Sequence, residues 1–282
     1  MSDLSSAAGL SAGEGRLTEQ DFRALAAIVR STAGITLGPN KRELVFGRLN
    51  RRLRALGLET FAQYREILDG PLGDAERVEM INAITTNLTS FFREPHHFSF
   101  LGASVIPELL KTCTDRRLRI WSAACSSGEE AYSIAMVLQR ALAAKGSWDA
   151  RILATDIDTN IVRIAQNGQY DAERTATIPR DYAAQLTRQH DGSYVAAEAL
   201  KQLIAFKPLN LLGEWPMRGK FDVVFCRNVV IYFDKAVQRT LFDRIAEIMT
   251  PRGWLFIGHS ESLLGASDRF ESLGRTIYRK LR

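Results

Sequence analysis

Beyond about residue 117, short apolar runs alternate with amphipathic helical patterns, and this alternation restricts the possible folds more than any other feature of the sequence. The predicted strands span 118–123, 151–155, 221–226, 254–257 and 270–281. The predicted helices between them span 130–144, 160–166 and 235–249. Such alternation is typical of an α/β fold with a parallel sheet. Right-handed crossovers in such a sheet bring the ligand-binding loops to the carboxyl ends of its strands.

The rest of the chain divides into further predicted segments. Residues 17–95 predict a small all-α domain, with helices expected at 18–31, 41–56, 60–68 and 74–84. We expect a disordered tail at 1–16, a linker at 96–116 and the α/β domain at 117–282. Within that domain a polar turn at His190–Ser193 lies between two apolar runs. It predicts a small antiparallel β insertion at about 172–203.

The composition of the 282 residues is that of an ordinary soluble globular protein, with 46% hydrophobic and 24% charged residues. No apolar run approaches the ~20 residues that span a bilayer, and the amino terminus lacks the features of a secretory signal, so we expect no insertion into a membrane. The net charge of +5 is too small to indicate nucleic-acid binding. Three cysteines without metal-ligand spacing fit a reducing cytoplasm. His96 and His97 are adjacent, but no cysteine or carboxylate cluster accompanies them, so we predict no metal site.

The segment Arg119–Ser133, RIWSAACSSGEEAYS, predicts a strand, a tight loop and a helix, and such a loop suits a nucleotide-like ligand. A neighbouring apolar run ends in Asp156, where a carboxylate can accept hydrogen bonds from both hydroxyls of a ribose. The loop has a single glycine, Gly128, so the three-glycine dinucleotide fingerprint is absent. Glu129 and Glu130 would repel a pyrophosphate and favour a cationic ligand. They also fit an ordinary helix start, where acids offset the helix dipole, and spacing alone does not decide between the two.

Two other segments combine polar groups with aromatic residues. Residues 85–94, TTNLTSFFRE, lie where the helical domain gives way to the sheet. Residues 221–233, FDVVFCRNVVIYF, predict a buried strand that ends before Arg227 and Asn228, and these two residues fit a ligand crevice together with Tyr232. Each segment also fits a structural interpretation. The first is then a linker with packed phenylalanines, and the second carries a surface arginine and a half-buried tyrosine.

Together these stretches resemble the bacterial chemotaxis receptor methyltransferases, which are S-adenosylmethionine-dependent protein-glutamate O-methyltransferases. The resemblance extends from about residue 18 to residue 281, and several motifs in the same order make it specific. The matching motifs are TTNLTSFFRE (85–94), IWSAACSSGEEAYSIAM (120–136), ATDID (154–158), LNLL (209–212), FDVVFCRNVVIYF (221–233) and GHSES (258–262). The resemblance implies a small all-α domain followed by a class I methyltransferase (Rossmann-like) sheet with a small antiparallel β insertion.

The resemblance also implies a cofactor and a set of site residues. The cofactor is S-adenosylmethionine, with S-adenosylhomocysteine as the product. The residues that match the family's cofactor pocket are Asn87, Thr89, Arg93, Glu129, Asp156, Arg227 and Asn228, with Asn210 and Leu211 beside the adenine. Glu129 would hold the methionine end and Asp156 the ribose. Arg93 would lie near the transferred methyl group and Tyr232 beside the reaction centre, so we expect these two to be the catalytic residues.

The reaction that the resemblance implies is methylation of glutamate side chains on chemotaxis receptors, which serves sensory adaptation. Family substrates are acidic helical receptor bundles on the cytoplasmic side of the membrane, and the predicted helix 41–56 offers them a basic surface. Its basic residues are Lys41, Arg42, Arg48, Arg51, Arg52 and Arg54, against the single acid Glu43. The same helix also fits a plain solvated face. The turn Arg188–Tyr194 lacks the extra glycine-bearing residues of members that dock a receptor's C-terminal pentapeptide, so we expect a pentapeptide-independent enzyme.

Two other functions are consistent with the sequence. A different class I methyltransferase, acting on RNA or a small molecule, would share the cofactor site. Aromatic residues do not alternate with the basic ones, however, as they do on single-stranded nucleic-acid binding surfaces. A cofactor-sensing or scaffolding domain could keep the fold without catalysis. The presence of Asn87, Arg93, Asp156, Asn228 and Tyr232 argues against that function.

Overall fold

The computed structural model describes residues 16–281, and the chain divides into two compact units between Thr85 and Thr86. The predicted tail at 1–16 lies, apart from Arg16, outside the described residues. The predicted all-α domain ended at residue 95, so the observed boundary comes earlier in the chain. The segment after Thr85 belongs to the sheet-containing unit, where the Phe92 amide donates a hydrogen bond to the Ser133 hydroxyl at 3.0 Å.

Within residues 16–85 the first unit contains four α-helices that pack through their apolar faces, and a short 3₁₀ helix at Pro39–Lys41. The α-helices are α1 (Glu19–Ala33), α2 (Arg42–Leu56), α3 (Phe61–Asp69) and α4 (Gly73–Ile84). The Thr18 hydroxyl caps α1 by accepting a hydrogen bond from the Asp21 amide at 3.1 Å. Gly34 ends that helix in the left-handed conformation that glycine adopts without steric cost.

A buried ionic cluster joins three of these helices. Glu76 of α4 is buried and accepts hydrogen bonds from Arg52 of α2 at 2.6 Å and from the Tyr64 hydroxyl of α3 at 2.8 Å. A charge inside a protein is tolerated only when it is paired and hydrogen-bonded in this way. The Arg52 side chain therefore stabilises the interior of this unit.

The second unit contains two sheets with helices around them. Numbered along the chain, its strands are β1 (Arg117–Ser122), β2 (Asp149–Asp156), β3 (Gln169–Tyr170), β4 (Leu186–Arg188), β5 (Tyr194–Ala196), β6 (Ile204–Pro208), β7 (Phe221–Cys226), β8 (Met249–Ile257), β9 (Phe270–Ser272) and β10 (Ile277–Lys280). Its helices are α5 (Pro95–Phe100), α6 (Ile106–Thr112), α7 (Glu129–Leu142), α8 (Thr159–Asn167), α9 (Ala172–Thr175), α10 (Arg180–Ala183), α11 (Glu198–Lys201) and α12 (Lys235–Glu247). The larger sheet has the strand order β6-β2-β1-β7-β8-β10-β9, and the smaller has the order β3-β5-β4.

The larger sheet confirms the predicted α/β class. Strands β6, β2, β1, β7 and β8 pair in parallel, whereas β10 and β9 add antiparallel strands at one edge. The strand order reverses at β1, which has β2 on one side and β7 on the other. In open α/β sheets the crevice at such a reversal, outside the carboxyl ends of the strands, is where ligands bind. No helix within residues 16–281 is long and apolar enough to cross a membrane.

The predicted linker at 96–116 is mostly helical and packs on the sheet. Helix α5 continues through a π-helical turn at Leu101–Val105 into α6. Phe98, Leu101, Val105 and Ile106 all lie in the hydrophobic core of this unit. A π-helical turn inserts an extra residue and shifts the phase of the apolar positions, so the segment does not show a clean 3.6-residue period.

The last predicted strand, 270–281, is a hairpin of β9 and β10 instead. Gly274, Arg275 and Thr276 all have positive φ angles, and these residues reverse the chain. The predicted β insertion is present as the smaller antiparallel sheet, which begins at β3 and so starts slightly earlier than the expected 172.

Candidate functional site

The loop after β1 has a constrained backbone. Ser126 and Gly128 have positive φ angles of 50° and 97°. A Cβ atom on Gly128 would come within 2.9 Å of both Ala165 and the Tyr170 hydroxyl, which only glycine avoids. The Tyr170 hydroxyl in turn donates a hydrogen bond to the Ser127 carbonyl at 2.8 Å. These contacts hold the loop in one conformation where it enters α7.

Four polar residues form a hydrogen-bonded ring at the ends of β1 and β2. The Asp156 carboxylate accepts from the Ser126 amide at 2.8 Å and from the Asp158 amide at 3.1 Å. The Asp158 carboxylate accepts from the side-chain amide of Asn87 at 2.7 Å. The backbone carbonyl of Asn87 accepts a hydrogen bond from the Ser126 hydroxyl at 3.0 Å, which closes the ring. The structure thus brings the predicted residues Asn87 and Asp156 together, through two residues to which the sequence assigned no role.

Asp156 has the properties of a ligand-binding carboxylate. Burial raises the pKa of its carboxyl to about 6, against the opposing effect of the two amide hydrogen bonds. The neighbouring charge of Asp158 also raises this pKa. Each carboxylate oxygen can still accept a second hydrogen bond, so the ionised group can bind two hydroxyls at once. This is the donor pattern of a ribose diol.

The two acids at the start of α7 have different surroundings. One oxygen of Glu130 accepts from the Ser122 hydroxyl at 2.7 Å and the other from Arg227 at 3.0 Å. Glu129 is fully buried, and its Oε1 atom has no hydrogen-bond partner among residues 16–281, although Arg174 Nη2 lies 2.5 Å away in an ion pair. Both oxygens of Glu130 are thus hydrogen-bonded within the interior, whereas Glu129 pairs with a partly exposed arginine, and its Oε1 atom can accept a further donor.

Arg227 is the centre of a buried ionic cluster. It is 4% exposed and pairs with Glu130 at 3.0 Å and with Glu94 at 3.3 Å. Its Nη2 atom also donates to the Arg93 carbonyl at 2.5 Å. Burial opposes the ionisation of Glu94, but Arg227 and hydrogen bonds from His259 outweigh it and lower the pKa of Glu94 to about 2. The guanidinium thus binds protein groups here, and its predicted contact with a cofactor stays a prediction.

Glu261 organises the loop after β7. Its carboxylate accepts hydrogen bonds from the amides of Gly258 at 2.6 Å, Asn228 at 2.9 Å and Val230 at 2.9 Å. Burial raises the pKa of Glu261, and these amide hydrogen bonds partly oppose the rise. Asn228 has a positive φ of 57°, and Gly258 lies so close that a Cβ atom would overlap the Asn228 amide. The Glu261 side chain therefore fixes the backbone at the predicted residue Asn228. The sequence did not predict this role of Glu261.

The predicted catalytic residues Arg93 and Tyr232 belong to the two segments that contribute to the Arg227 cluster. Arg93 is partly exposed, and its Nη1 atom donates to the Leu88 carbonyl at 2.8 Å. Tyr232 ends a 3₁₀ turn that begins at Val230, and it is also partly exposed. Thr89 is partly exposed in the same segment as Arg93. Both segments therefore present side chains to solvent next to a buried, fixed cluster.

The predicted adenine-binding stretch follows β6. The Leu209 amide donates to the Asp156 carbonyl at 2.8 Å, so the next residues leave the sheet beside the end of β2. Asn210 Oδ1 accepts from the Leu212 amide at 3.0 Å. Leu211 is 6% exposed, and its carbonyl accepts from Arg244 at 2.9 Å.

A carboxylate does accompany the two adjacent histidines. The ligand atoms of Glu94, His96 and His97 all lie within 4.8 Å of one another. Burial lowers the pKa of His97 to about 4, so its imidazole is neutral at physiological pH. However, Arg227 occupies the space beside Glu94, and its positive charge would oppose a cation there. The prediction of no metal site stays a prediction, on these grounds rather than on the missing carboxylate.

Sequence reasoning missed four residues of this region. Ser126, Asp158 and Glu261 each lie inside a motif that matches the family. The motif indicated the region of the site, but the sequence did not predict which groups these side chains contact. Arg174 lies in the insertion, outside every such motif, and nothing in its local sequence indicates a contact with Glu129.

Two family models match nearly all of the described chain. One is described as "CheR methyltransferase, all-alpha domain" and matches residues 20–85. The other is described as "CheR methyltransferase, SAM binding domain" and matches residues 87–279. The chain belongs to the CheR methyltransferase family. The two matches meet where the structure divides into its two units, between Thr85 and Thr86.

Curated relatives support the same assignment over almost the whole chain. A probable chemotaxis protein methyltransferase of Rhizobium etli is 43% identical over 89% of this chain and 96% of its own length. Chemotaxis protein methyltransferase 2 of Pseudomonas aeruginosa is 42% identical over 93% of each chain. The chemotaxis protein methyltransferase of Escherichia coli is 40% identical over 93% of this chain and 91% of its own length. The predicted family is therefore confirmed.

The cofactor of the second domain is S-adenosylmethionine, as predicted. The residues present fit this group. Asp156 can bind a ribose diol, and the Glu129 carboxylate, paired with Arg174, can accept a further hydrogen bond from the positively charged amino group at the methionine end. The loop after β1 has a single glycine and lacks the three-glycine pattern that binds a pyrophosphate. This suits a cofactor that has no pyrophosphate.

Proposed function

We propose that the chain transfers a methyl group to glutamate side chains of chemotaxis receptors in the cytoplasm, forming methyl esters that adjust receptor signalling. The relatives that support this are chemotaxis protein methyltransferases by name. The observation that carries the proposal is the Arg227 cluster, which fixes the Arg93 backbone to the loop that leads to Tyr232. The two proposed catalytic side chains thus come from segments that Arg227 joins through the Arg93 carbonyl and the Glu94 carboxylate.

The proposed reaction needs no general base. Bound S-adenosylmethionine supplies a methyl group on a positively charged sulfur atom. A glutamate side chain has an ordinary pKa of about 4.3, so it is ionised at neutral pH and can attack directly. The task left to the residues of the chain is to hold the attacking carboxylate in line with the methyl group.

We assign this positioning to Arg93 and Tyr232. Arg93 donates to the Leu88 carbonyl through Nη1, and its remaining N–H groups can form charge-assisted hydrogen bonds with an incoming carboxylate. The Tyr232 hydroxyl can donate one more. A strong contact with the carboxylate before reaction would stabilise the ground state, so the role of Arg93 is geometric more than electrostatic.

The basic surface of α2 is smaller than the sequence suggests. Arg42 and Arg48 donate to backbone carbonyls within the helical unit, and Arg52 pairs with Glu76. The other three basic residues are exposed, namely Lys41, Arg51 and Arg54. We infer that these three steer the enzyme towards acidic receptor helices, an effect on the association rate that weakens with salt.

The hairpin between β4 and β5 has a compact turn. The Gln189 amide donates to the Ser193 carbonyl at 2.8 Å, and the Asp191 carboxylate accepts from the Ser193 amide at 2.9 Å. A turn this short supports docking that does not depend on a receptor's C-terminal pentapeptide. Pull-down of the protein by such a pentapeptide at micromolar affinity would contradict this part of the proposal.

The test of the function is transfer of tritiated methyl groups from S-adenosylmethionine into receptor-containing membranes. We expect label in the receptor that is released by mild base, as a methyl ester is. Label in RNA or a small molecule instead would support a different class I methyltransferase. Cofactor binding without transfer to any receptor would support a sensing or scaffolding domain.

Two variants separate the roles within that assay. Arg93→Ala should keep its cofactor affinity within about tenfold, or ~1.4 kcal/mol, while turnover falls much further. Reversing the charge of Arg51 and Arg54 should slow receptor methylation at low salt and have little effect at high salt. If the charge reversal has no effect on receptor methylation at any salt concentration, the basic residues of α2 only form a solvated surface and do not steer the enzyme. Arg52 is not a suitable target, because its loss would leave the buried Glu76 without its arginine partner.

A further inference from the structure

The ion pair between Glu129 and Arg174 has no part in the function proposed so far. Arg174 comes from the insertion, and its Nη2 atom lies 2.5 Å from Glu129 Oε1. The same atom donates to the Ser127 hydroxyl oxygen at 2.6 Å, and that hydroxyl donates to Glu129 Oε2 at 2.7 Å. The Glu129 side chain is fully buried, whereas 36% of the Arg174 side chain is exposed. The pair therefore lies between the interior and the solvent.

The backbone that carries Arg174 is fixed. Asp171 caps α9 by accepting a hydrogen bond from the Arg174 amide at 2.7 Å. The guanidinium carbon lies 5.6 Å from the centre of the Tyr170 ring. Farther along the insertion, the Thr177 hydroxyl donates to the Phe91 carbonyl at 3.1 Å. The position of the guanidinium beside Glu129 thus follows from the local fold of the insertion.

The guanidinium of Arg174 keeps donors for a ligand. An arginine side chain has five N–H donors in a planar arrangement. Among residues 16–281 only Nη2 of Arg174 forms side-chain hydrogen bonds or ion pairs, and Nε and Nη1 form none. The Nε and Nη1 donors lie on different edges of the guanidinium, so each can form one charge-assisted hydrogen bond with a carboxylate oxygen.

We propose that Arg174 binds the α-carboxylate at the amino-acid end of the cofactor, while Glu129 binds its α-ammonium group. The amino-acid end carries both charges at neutral pH, and the adjacent carboxylate and guanidinium offer the complementary pair. The inference rests on the proposed assignment of Glu129 to the methionine end. It makes the antiparallel insertion part of the cofactor site and a source of selectivity for a zwitterionic ligand.

The test is a comparison of three ligands by calorimetry on the full chain. S-adenosylhomocysteine has the whole amino-acid end. Its decarboxylated analogue keeps the ammonium group and lacks the carboxylate, and 5′-methylthioadenosine lacks both. Arg174→Ala and Arg174→Gln are the variants, and the glutamine keeps an uncharged amide donor on a shorter side chain. Arg140→Ala, which removes an exposed arginine of the same unit, is the control.

We expect both Arg174 variants to bind S-adenosylhomocysteine at least about tenfold more weakly than the native chain, as loss of a charge-assisted pair implies. Their affinities for the decarboxylated analogue and for methylthioadenosine should change less than about twofold, since neither ligand has the carboxylate. Arg140→Ala should change none of the three. Near-native thermal unfolding midpoints would show that the Arg174 variants are folded.

Equal losses for all three ligands would overturn the inference, because Arg174 would then only support the fold of the loop. A gain in affinity for S-adenosylhomocysteine would also overturn it, because Arg174 would then compete with the ligand for Glu129. The same measurements, together with receptor labelling, distinguish a failure of this inference from a failure of the proposed receptor specificity. A chain that shows the expected ligand pattern but labels no receptor would retain this cofactor contact and lose the proposed substrate.

Discussion

The loops after β1 and after β7 lie at the carboxyl ends of neighbouring strands, yet they use their buried charges differently. In the loop after β7, Arg227 binds two carboxylates and a carbonyl. Glu261, from the loop after β8, binds the amides of Asn228 and Val230 in the loop after β7 and the amide of Gly258. In the loop after β1, the partner of Glu129 is Arg174, whose side chain is partly exposed. Asp156 can also accept further hydrogen bonds.

We propose that this difference separates a supporting loop, after β7, from a cofactor-binding loop, after β1. Buried charges that are fully paired cannot be released without a large loss of stability, so they fix the backbone. A buried acceptor that can take a further hydrogen bond loses little free energy when a ligand binds, because the donors of the ligand replace water or a partly exposed partner. We therefore expect changes after β7 to affect mainly the free energy of unfolding, and changes after β1 to affect mainly cofactor affinity.

The largest effect should follow from Arg227→Ala. Removing this guanidinium leaves Glu130 and Glu94 buried without their main cationic partner. Breaking a buried ion pair in this way typically costs about 3–5 kcal/mol. Urea unfolding should show this loss, whereas removal of the exposed Arg140 should hardly change the unfolding midpoint. A loss below about 1 kcal/mol would mean that the cluster does not support the loop as argued.

A smaller loss of stability should follow from Glu261→Gln. The glutamine amide would direct N–H groups at backbone N–H donors, so at least one of the three amides loses its acceptor. An unsatisfied buried donor costs about 1–3 kcal/mol in the free energy of unfolding. The matched control is Glu271→Gln, at an exposed position of β9. Equal unfolding curves for the two variants would show that Glu261 does not anchor the loop.

The contrast between the loops also explains what the sequence could predict. The strand that ends in Asp156 and the helix that starts at Glu129 follow from apolar runs and helix-start signals, which are local. The ring of Asn87, Ser126, Asp156 and Asp158 joins segments that are far apart in the chain. Its members were visible as motifs, but their contacts depend on how the sheet and the preceding segment come together.

The contacts that support the two loops could not be predicted either, because they also join segments that are far apart in the chain. Glu129 and Glu130 are adjacent and chemically identical, and spacing alone could not assign them different roles. Their difference arises from Arg227 and Arg174, which reach them from separate and distant parts of the chain. The helices within residues 96–116 were not visible in the sequence, because a π-helical turn disrupts the period that indicates a helix.

Cofactor affinity should depend on pH through Asp156. Its carboxyl has a pKa of about 6 in the free protein because of burial, and only the ionised form can accept both ribose hydroxyls. Affinity should therefore be constant above pH 7 and fall as the pH drops through about 6. Each pH unit below the pKa lowers the ionised fraction about tenfold, so affinity for S-adenosylhomocysteine at pH 5 should be about tenfold weaker than at pH 7.5.

Asp156→Asn provides the control for this pH dependence. The amide does not titrate, so calorimetry should show a lower affinity at pH 7.5 that changes little on going to pH 5. A native chain with equal affinity at both pH values would place the titrating group elsewhere. It would also weaken the distinction between a binding loop and a supporting loop.

The smallest effect should come from Asp158→Asn, in the same ring. Asparagine caps a helix as well as aspartate does, so α8 should keep its cap. Affinity for S-adenosylhomocysteine at pH 7.5 should change less than about threefold, or ~0.6 kcal/mol. The charge of Asp158 is one cause of the raised pKa of Asp156, so its removal should shift the pH midpoint of binding downwards. A loss at pH 7.5 as large as that of Asp156→Asn would make Asp158 a ligand-binding group in its own right, whereas an unchanged midpoint would show that the two carboxylates do not interact.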